Sequence, residues 1–127
     1  MAKYIIKGDC KLEGNVEISG SKNASLPIIA ATVLNKGITT LYNVPNIHDT
    51  QKMFEILKTL GGTVKKKNNK YIIDTRKINK YKIPEDLMHE MRSSVILAGS
   101  LIGRYKKATF SYPGDYDIWW IHRTSLR

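Results

Sequence analysis

The chain has 127 residues, 42% hydrophobic and 25% charged, which is ordinary for a globular domain with a buried core. Its formal net charge of +10 favours anionic partners, either nucleic acid or small anions such as nucleotides and phosphates. The sequence contains no apolar run of membrane-spanning length, and one cysteine, Cys10, excludes an internal disulfide framework. Since no signal peptide is recognisable either, these features predict a cytoplasmic protein without a membrane partner.

The lysines cluster in turns around short strand-like runs, as at 65–67 and 77–80, rather than along one helix face. They do not alternate with aromatic residues along the chain in the pattern that stacks nucleic-acid bases. This distribution favours a solubilising role for most of the charge, and we therefore expect no nucleic-acid partner. A basic nucleic-acid-binding module remains the alternative, which a salt-dependent shift of DNA or RNA would reveal.

The first half of the chain alternates strand and helix signals. Residues 3–7 and 14–19 predict two short strands separated by a Gly-Asp turn. Residues 22–35 predict a helix that ends before Gly37, a residue type common just past helix ends. The β-branched run 38–43 predicts a strand.

A second helix is predicted over residues 50–60, where apolar residues recur at helical spacing. Asp49 or Thr50 is a suitable cap at its start, and the pair Gly61-Gly62 ends it.

The second half predicts a hairpin and then a long helix. Residues 63–67 and 70–74 are strand-like runs joined by an Asn-Asn turn. A third helix is predicted to start around Pro84, with an apolar stripe from Leu87 to Ile102, and residues 107–111 predict a last strand. The order β-β-α-β-α-β-β-α-β, with hairpin and crossover links, predicts an α/β or α+β layered fold.

One turn breaks local rules. In Gly20-Ser21-Lys22-Asn23, a lysine stands in the first turn of the predicted helix, where a cation opposes the helix dipole. Pro27 then removes a backbone donor from the same helix. Helix starts bind anions, so a phosphate or carboxylate at this place would offset the cost of the lysine. Taken alone, however, the stretch favours a lysine that simply extends into solvent.

Arg92 and the histidines are further candidates. Arg92 lies beside the apolar stripe of the third helix, either as a surface residue packing its stem or as a fork-shaped anion ligand. Taken alone, the surface interpretation is favoured. His48 and His89 have no second ligand at metal spacing, so no metal site is predicted, and Cys10 has no adjacent base.

Four segments taken together resemble one family. They are KLEGNVEISGSKNASLPIIAATVL, LYNVP, EILKTLGG, and EMRSSVILAGSLIGR followed by SYPG. Their order and spacing over residues 1–118 are similar to the amino-terminal part of the UDP-N-acetylglucosamine 1-carboxyvinyltransferases, or enolpyruvyl-UDP-GlcNAc synthases. The enolpyruvyl-shikimate-phosphate synthases share the fold and a similar turn, but Asn23 and the EMRSS segment favour the UDP-sugar branch. A 3-phosphoshikimate 1-carboxyvinyltransferase-like fragment is therefore the second alternative.

The resemblance implies part of one domain of an inside-out α/β barrel. It also implies transfer of the enolpyruvyl group from phosphoenolpyruvate to the 3-hydroxyl of UDP-N-acetylglucosamine, with release of phosphate. This is the first committed step of peptidoglycan synthesis, and it requires neither a metal nor a cofactor. Lys22 matches the lysine that binds phosphoenolpyruvate, Asn23 matches a residue that contacts the sugar substrate, and Arg92 matches an arginine of the anion site. The oligomeric state is not implied.

The chain departs from the family after the SYPG segment. There the family has a cysteine that acts as general acid, or an aspartate in some members, and this chain has Tyr116 in that position. A phenol is a weaker acid than a thiol, with an unperturbed pKa of about 10 against about 8.5. Asp115 or Asp117 could replace the cysteine only if the loop shifted by one residue.

The resemblance also predicts a division of the chain. Residues 1–20 form strands that pack with a second domain in the family, and residues 21–118 are a partial enolpyruvyl transferase domain. Residues 119–127, with two adjacent tryptophans, are expected to be an aberrant tail of a truncated or frame-shifted copy. We therefore expect little or no transferase activity from the isolated chain.

Overall fold

A computed structural model describes residues 3–9, 11–84, 86–87 and 95–109. Predictions that fall on Cys10, His89, Arg92, Asp115 and Tyr116 lie outside these residues, as does the tail 119–127. The described elements, in chain order, are α1 (Lys22–Ala31), β1 (Ile38–Tyr42), α2 (His48–Thr59), β2 (Thr63–Lys67), β3 (Lys70–Asp74) and α3 (Ile96–Tyr105).

Helix α1 begins where the sequence predicts and ends earlier. The Ser21 Oγ accepts a hydrogen bond from the Ala24 N–H at 3.3 Å, which makes Ser21 the N-cap. After Ala31 the N–H groups of residues 33–35 donate to carbonyls only three residues back, at 3.0–3.2 Å. This tightened turn ends helix α1 four residues before position 35. Pro27 lies inside the helix.

Helix α2 ends in a glycine-dependent cap, as predicted. The Gly61 N–H donates to the Lys58 carbonyl at 3.0 Å, and the Gly62 N–H donates to the Leu57 carbonyl at 2.9 Å. This pair of bonds is a Schellman motif, and it places Gly61 at a φ of 107°. A Cβ there would also stand 2.9 Å from the Lys77 carbonyl oxygen. The position therefore requires glycine for both backbone conformation and space.

The three strands form one antiparallel sheet in the order β1-β3-β2. The predicted hairpin is confirmed with the predicted bounds, and Asn68 in its turn has a φ of 52°, which asparagine tolerates. In register, Leu41 and Lys66 flank Tyr71 on one face of the sheet. Side chains alternate between faces along a strand, so neighbouring residues of β3 face opposite ways.

The core lies between the helices and one face of the sheet. Phe54 stacks on Tyr71 with ring centroids 4.6 Å apart, joining α2 to β3. Helix α1 packs against both α2 and α3. Among the described residues, no helix is long and apolar enough to cross a bilayer. The largest fully buried side chains are those of Phe54, Ile29, Met53, Ile56, Leu57, Leu60, Ile73, Ile83, Leu97, Leu101 and Val33.

Helix α3 is tied to the rest of the fold by Arg104. Its Nη1 donates to the Val33 carbonyl at 2.9 Å, and its Nη2 donates to the carbonyls of Thr75 at 2.9 Å and Ile78 at 3.3 Å. The Tyr105 hydroxyl donates to the same Ile78 carbonyl. The guanidinium therefore joins the chain after α1, the end of β3 and the following loop.

The prediction of strands at 3–7 and 14–19 is wrong for this chain, because these residues have no regular secondary structure. Their large apolar side chains are 80–90% exposed, so the alternating pattern has nothing to pack against. A strand also needs a neighbour that pairs its backbone groups. The last predicted strand, 107–111, is reduced in its described part to a parallel bridge between Thr109 and Lys82.

Candidate functional site

The turn that carries the lysine is held against the loop before α2. A side chain at Gly20 would overlap the carbonyl oxygen of Asn43, and it would lie 3.4 Å from Cδ of Pro45. Only glycine permits this approach of two backbones. The start of α1 is therefore fixed relative to the segment that leads into α2.

This packing brings together the first turns of two helices. The Lys22 Nζ lies 2.8 Å from the Asp49 Oδ2, with side chains 52% and 29% exposed. Asp49 stands in the first turn of α2, where a carboxylate is favourable to the helix dipole. The same carboxylate offsets the unfavourable lysine in the first turn of α1. Lys22 therefore does not extend freely into solvent.

Backbone donors contribute less to an anion site here than the sequence implies. The Ala24 N–H is used by the Ser21 Oγ, and the Ser25 N–H donates to the Ser21 carbonyl at 3.0 Å. The Ser25 hydroxyl donates to that carbonyl too, at 2.7 Å. The N–H groups of Ala24 and Ser25 are therefore occupied, and the half-exposed ammonium group of Lys22 supplies positive charge at this helix start.

Asp49 is the residue that sequence reasoning missed as part of the site. It was expected only as a helix cap, whereas Ile47 occupies the N-cap and its N–H donates to Thr50 Oγ1 at 3.3 Å. The sequence indicated Asp49 only as an acidic residue near the start of the predicted second helix. Nothing in the sequence placed that helix start beside Lys22, which is 27 residues away.

The structure describes some of the other predicted site residues and not others. Asn23 follows Lys22 in α1 and is exposed. Arg92, Tyr116 and Asp115 lie outside the described residues, so their proximity to Lys22 stays a prediction. His48 is exposed at the first position of α2, and within the described ranges no group of three or more His, Cys, Asp or Glu residues is positioned for a metal ion.

Two clefts lie beside the hairpin, and Lys22 lines neither of them. The larger, about 510 Å³, is formed by residues 17–19, the loop 43–46, the hairpin turn 68–69, Lys66 and Tyr71. In the smaller, about 180 Å³, Gln51 lies between two partners. Its Nε2 donates to Asn46 Oδ1 at 2.8 Å and to the Tyr71 hydroxyl at 3.1 Å.

Comparison with known proteins identifies the class. The family model described as EPSP synthase (3-phosphoshikimate 1-carboxyvinyltransferase) matches residues 6–119. The chain therefore belongs to this family of enolpyruvyl transferases. The crystal structure of the enolpyruvyl transferase NikO from Streptomyces tendae is similar, with a TM-score of 0.66 and 24% identity. The match covers 74% of this chain and 22% of that chain, so the predicted fold, part of an enolpyruvyl transferase domain, is confirmed.

Two relatives with similar sequences have names of the UDP-sugar branch. UDP-N-acetylglucosamine 1-carboxyvinyltransferase 2 of Caldanaerobacter subterraneus subsp. tengcongensis is 44% identical over 118 residues. UDP-N-acetylglucosamine 1-carboxyvinyltransferase of Cellvibrio japonicus is 44% identical over 119 residues. Each alignment covers 93% of this chain, which spans 28% of the length of either relative.

Proposed function

We propose that this chain provides the phosphoenolpyruvate-binding lysine of an enolpyruvyl transferase. The transferase moves the enolpyruvyl group from phosphoenolpyruvate to the 3-hydroxyl of UDP-N-acetylglucosamine and releases phosphate. The relatives' names support this acceptor, because they are called UDP-N-acetylglucosamine 1-carboxyvinyltransferases at 44% identity. The product belongs to peptidoglycan synthesis in the cytoplasm, and through it to cell shape and division.

The observation that carries the proposal is the position of Lys22. Its ammonium group is held 2.8 Å from Asp49, yet half of its side chain is exposed. A phosphate group carries more negative charge than one carboxylate and offers more acceptor oxygens. Phosphoenolpyruvate can therefore compete with Asp49 for the ammonium group or bind it together with Asp49. The carboxylate meanwhile keeps the lysine in position between two helix starts.

The remaining residues have proposed roles in the same reaction. Asn23, next to Lys22 and exposed, would contact the sugar substrate, and Arg92 would supply a second cation for the phosphate. Tyr116 occupies the position of the general acid, with Asp115 as the alternative. A phenol gives up its proton less readily than a thiol, so protonation of the methylene carbon would be slower at neutral pH.

We also propose that residues 1–20 form strands only when a second domain covers them. The exposed Tyr4, Ile6 and Val16 support this, at 85–90% exposure. Residues 21–118 would then be the partial domain that contributes Lys22, and 119–127 the divergent tail. Amide exchange tests the first part: residues 3–20 should exchange rapidly alone and become protected when the complementary part of a relative is added. Equal exchange rates in both samples would contradict it.

Substrate titration tests the function directly. Phosphoenolpyruvate added to the 127-residue chain should shift amide NMR signals around Lys22, and the Lys22→Ala variant should lose these shifts. Lys36→Ala removes an equal charge from an exposed position in the loop after α1 and should keep them. Equal shifts in the Lys22→Ala variant would contradict the proposal. Because the chain spans 28% of the relatives' length, we expect little phosphate release with both substrates present.

The shikimate branch is the second candidate, because the matching family model is described by that activity. The two acceptors separate the candidates. UDP-N-acetylglucosamine should show saturable binding in the presence of phosphoenolpyruvate, whereas 3-phosphoshikimate should not. The reverse result would assign the chain to the shikimate branch.

A further inference from the structure

The face of the sheet that points away from the helices is open to solvent. Tyr71 and Ile73 of β3 are buried against the helices, so Lys70 and Ile72 face the other way. The register extends this outer face across all three strands. It consists of Ile38, Thr40 and Tyr42 from β1, Lys70, Ile72 and Asp74 from β3, and Thr63, Lys65 and Lys67 from β2.

One end of this outer face combines an aromatic ring with three lysines. Tyr42, Lys70 and Lys67 stand in one row across the strands, and Lys65 lies two residues from Lys67 on the same edge. The Tyr42 ring is 69% exposed, and the Lys70 Nζ lies 5.9 Å from its centroid. Lys65 and Lys67 are also exposed. This basic end adjoins the hairpin turn.

The acidic group of the face lies at the opposite end and is neutralised. Asp74 forms an ion pair with Arg76, whose Nη2 is 2.7 Å from its Oδ2, and a further bond joins Arg76 Nε to Asp74 Oδ1 at 3.0 Å. The Asp74 carboxylate therefore does not repel an anion that approaches the lysines. The outer face has a basic, aromatic half and a neutral half.

We infer that the basic half of this sheet face, formed by Tyr42, Lys65, Lys67 and Lys70, binds single-stranded nucleic acid. Lysines at alternate positions of a strand are about 7 Å apart on one face, which suits successive groups of an extended polyanion. An exposed aromatic ring on an antiparallel sheet supplies a surface on which a base can stack. The cations and the aromatic ring stand beside one another on neighbouring strands rather than alternating along the sequence. The net charge of +10 was therefore the only sign of such a surface in the sequence.

Single-stranded nucleic acid fits this surface better than a duplex or an acidic peptide. The phosphates of a duplex would meet the lysines, but its bases are stacked on one another and leave Tyr42 without a partner. An acidic peptide would likewise use only the charges. The exposed ring therefore distinguishes the ligands, and the inference is independent of the proposed transferase site, which uses Lys22 instead.

Fluorescence anisotropy with labelled single strands of about 12 nucleotides tests the inference on the full 127-residue chain. Three lysine contacts predict a slope of about −2 for log K against log salt, since each contact to a single strand contributes about −0.7. The double variant K65A/K67A should reduce the slope to about −0.7. Tyr42→Ala should weaken binding roughly 5- to 100-fold, whereas Tyr42→Phe keeps the ring and should bind normally.

The matched control is K36A/K80A, which also removes two exposed lysines but from loops outside the sheet. It should leave affinity and salt slope unchanged. Equal losses in the control and in K65A/K67A would overturn the inference, because the binding would then follow net charge alone. Normal affinity of Tyr42→Ala, or equally effective competition by polyglutamate, would also overturn it. Circular dichroism checks folding, and K65Q/K67Q serves as the second variant if the alanine variant unfolds.

Discussion

Arg104 and Lys22 are both helix cations, but their surroundings differ. The Arg104 guanidinium donates to three backbone carbonyls, those of Val33, Thr75 and Ile78, at 2.9–3.3 Å. Every one of these acceptors is fixed by the chain itself. Among the described residues, the Lys22 ammonium pairs with one carboxylate, that of Asp49, and the lysine side chain is half exposed. The hydrogen bonds of Arg104 therefore serve to hold the fold together, whereas the Lys22 ammonium can still bind a ligand.

This difference teaches how to separate structural from functional cations. A guanidinium that donates to several backbone carbonyls cannot leave them without losing several charge-assisted hydrogen bonds at once. A surface ion pair such as Lys22 with Asp49 contributes about 0–1 kcal/mol, so a better anion displaces it at small cost. Variants of the two regions should accordingly separate loss of stability from loss of binding.

The largest effect is expected for Arg104→Ala. It removes three hydrogen bonds from a charged donor, each contributing about 1.5–3 kcal/mol. The Ile78 carbonyl keeps the Tyr105 hydroxyl and the Thr75 carbonyl keeps the Ile78 N–H, whereas the Val33 carbonyl loses the Arg104 donor. Because water reaches part of this site, we expect a loss of about 3 kcal/mol in the free energy of unfolding. Urea denaturation measures it, with Lys22→Ala as the comparison. A loss below about 1 kcal/mol would mean that Arg104 is no more structural than a surface pair.

Gly61→Ala tests the same structural region through the backbone. The φ of 107° and the 2.9 Å approach to the Lys77 carbonyl predict a loss of about 1–2 kcal/mol. Gly99→Ala is the matched control, because its Cβ would meet nothing within 4 Å in the interior of α3. That control should gain up to about 1 kcal/mol. Thermal unfolding compares them, and equal effects would refute the cap assignment.

Lys22→Ala should change stability by less than about 0.5 kcal/mol, because the lost ion pair is offset by relief of the helix dipole. Phosphoenolpyruvate binding should nevertheless disappear. Urea denaturation measures the free energy of unfolding, and titration with phosphoenolpyruvate on the same sample measures binding. A loss of stability comparable to that of Arg104→Ala would place Lys22 among the structural cations.

The smallest effect concerns Asp74. Its side-chain hydrogen bonds from Arg76 lower its pKa from 3.8 to about 2. The folded pKa lies below the unfolded one, so this contribution to stability is present above about pH 4 and is lost as the pH falls towards 2. Carboxyl NMR titration should return the pKa of Asp74 towards 3.8 in Arg76→Ala. An unchanged pKa would contradict this assignment of the cause.

The helix and hairpin boundaries show what local sequence predicts well. The strands 63–67 and 70–74 were predicted with their observed bounds, and the Gly61-Gly62 stop of α2 was correct. These features depend on turn residues and neighbouring positions. The end of α1 was predicted four residues too late, because tightened turns rather than Gly37 terminate it.

The sequence by itself determined the elements from α1 to β3, the core-forming periodicities and the unusual lysine in the turn at Gly20. These follow from backbone and side-chain preferences that act within a few residues. The tertiary structure alone decided that Asp49 lies beside Lys22, that Arg104 bridges three chain segments, and that Tyr42 shares a face with three lysines. It also decided that the described residues 3–9 and 11–20 form no strand, since pairing requires a neighbour that local sequence cannot supply.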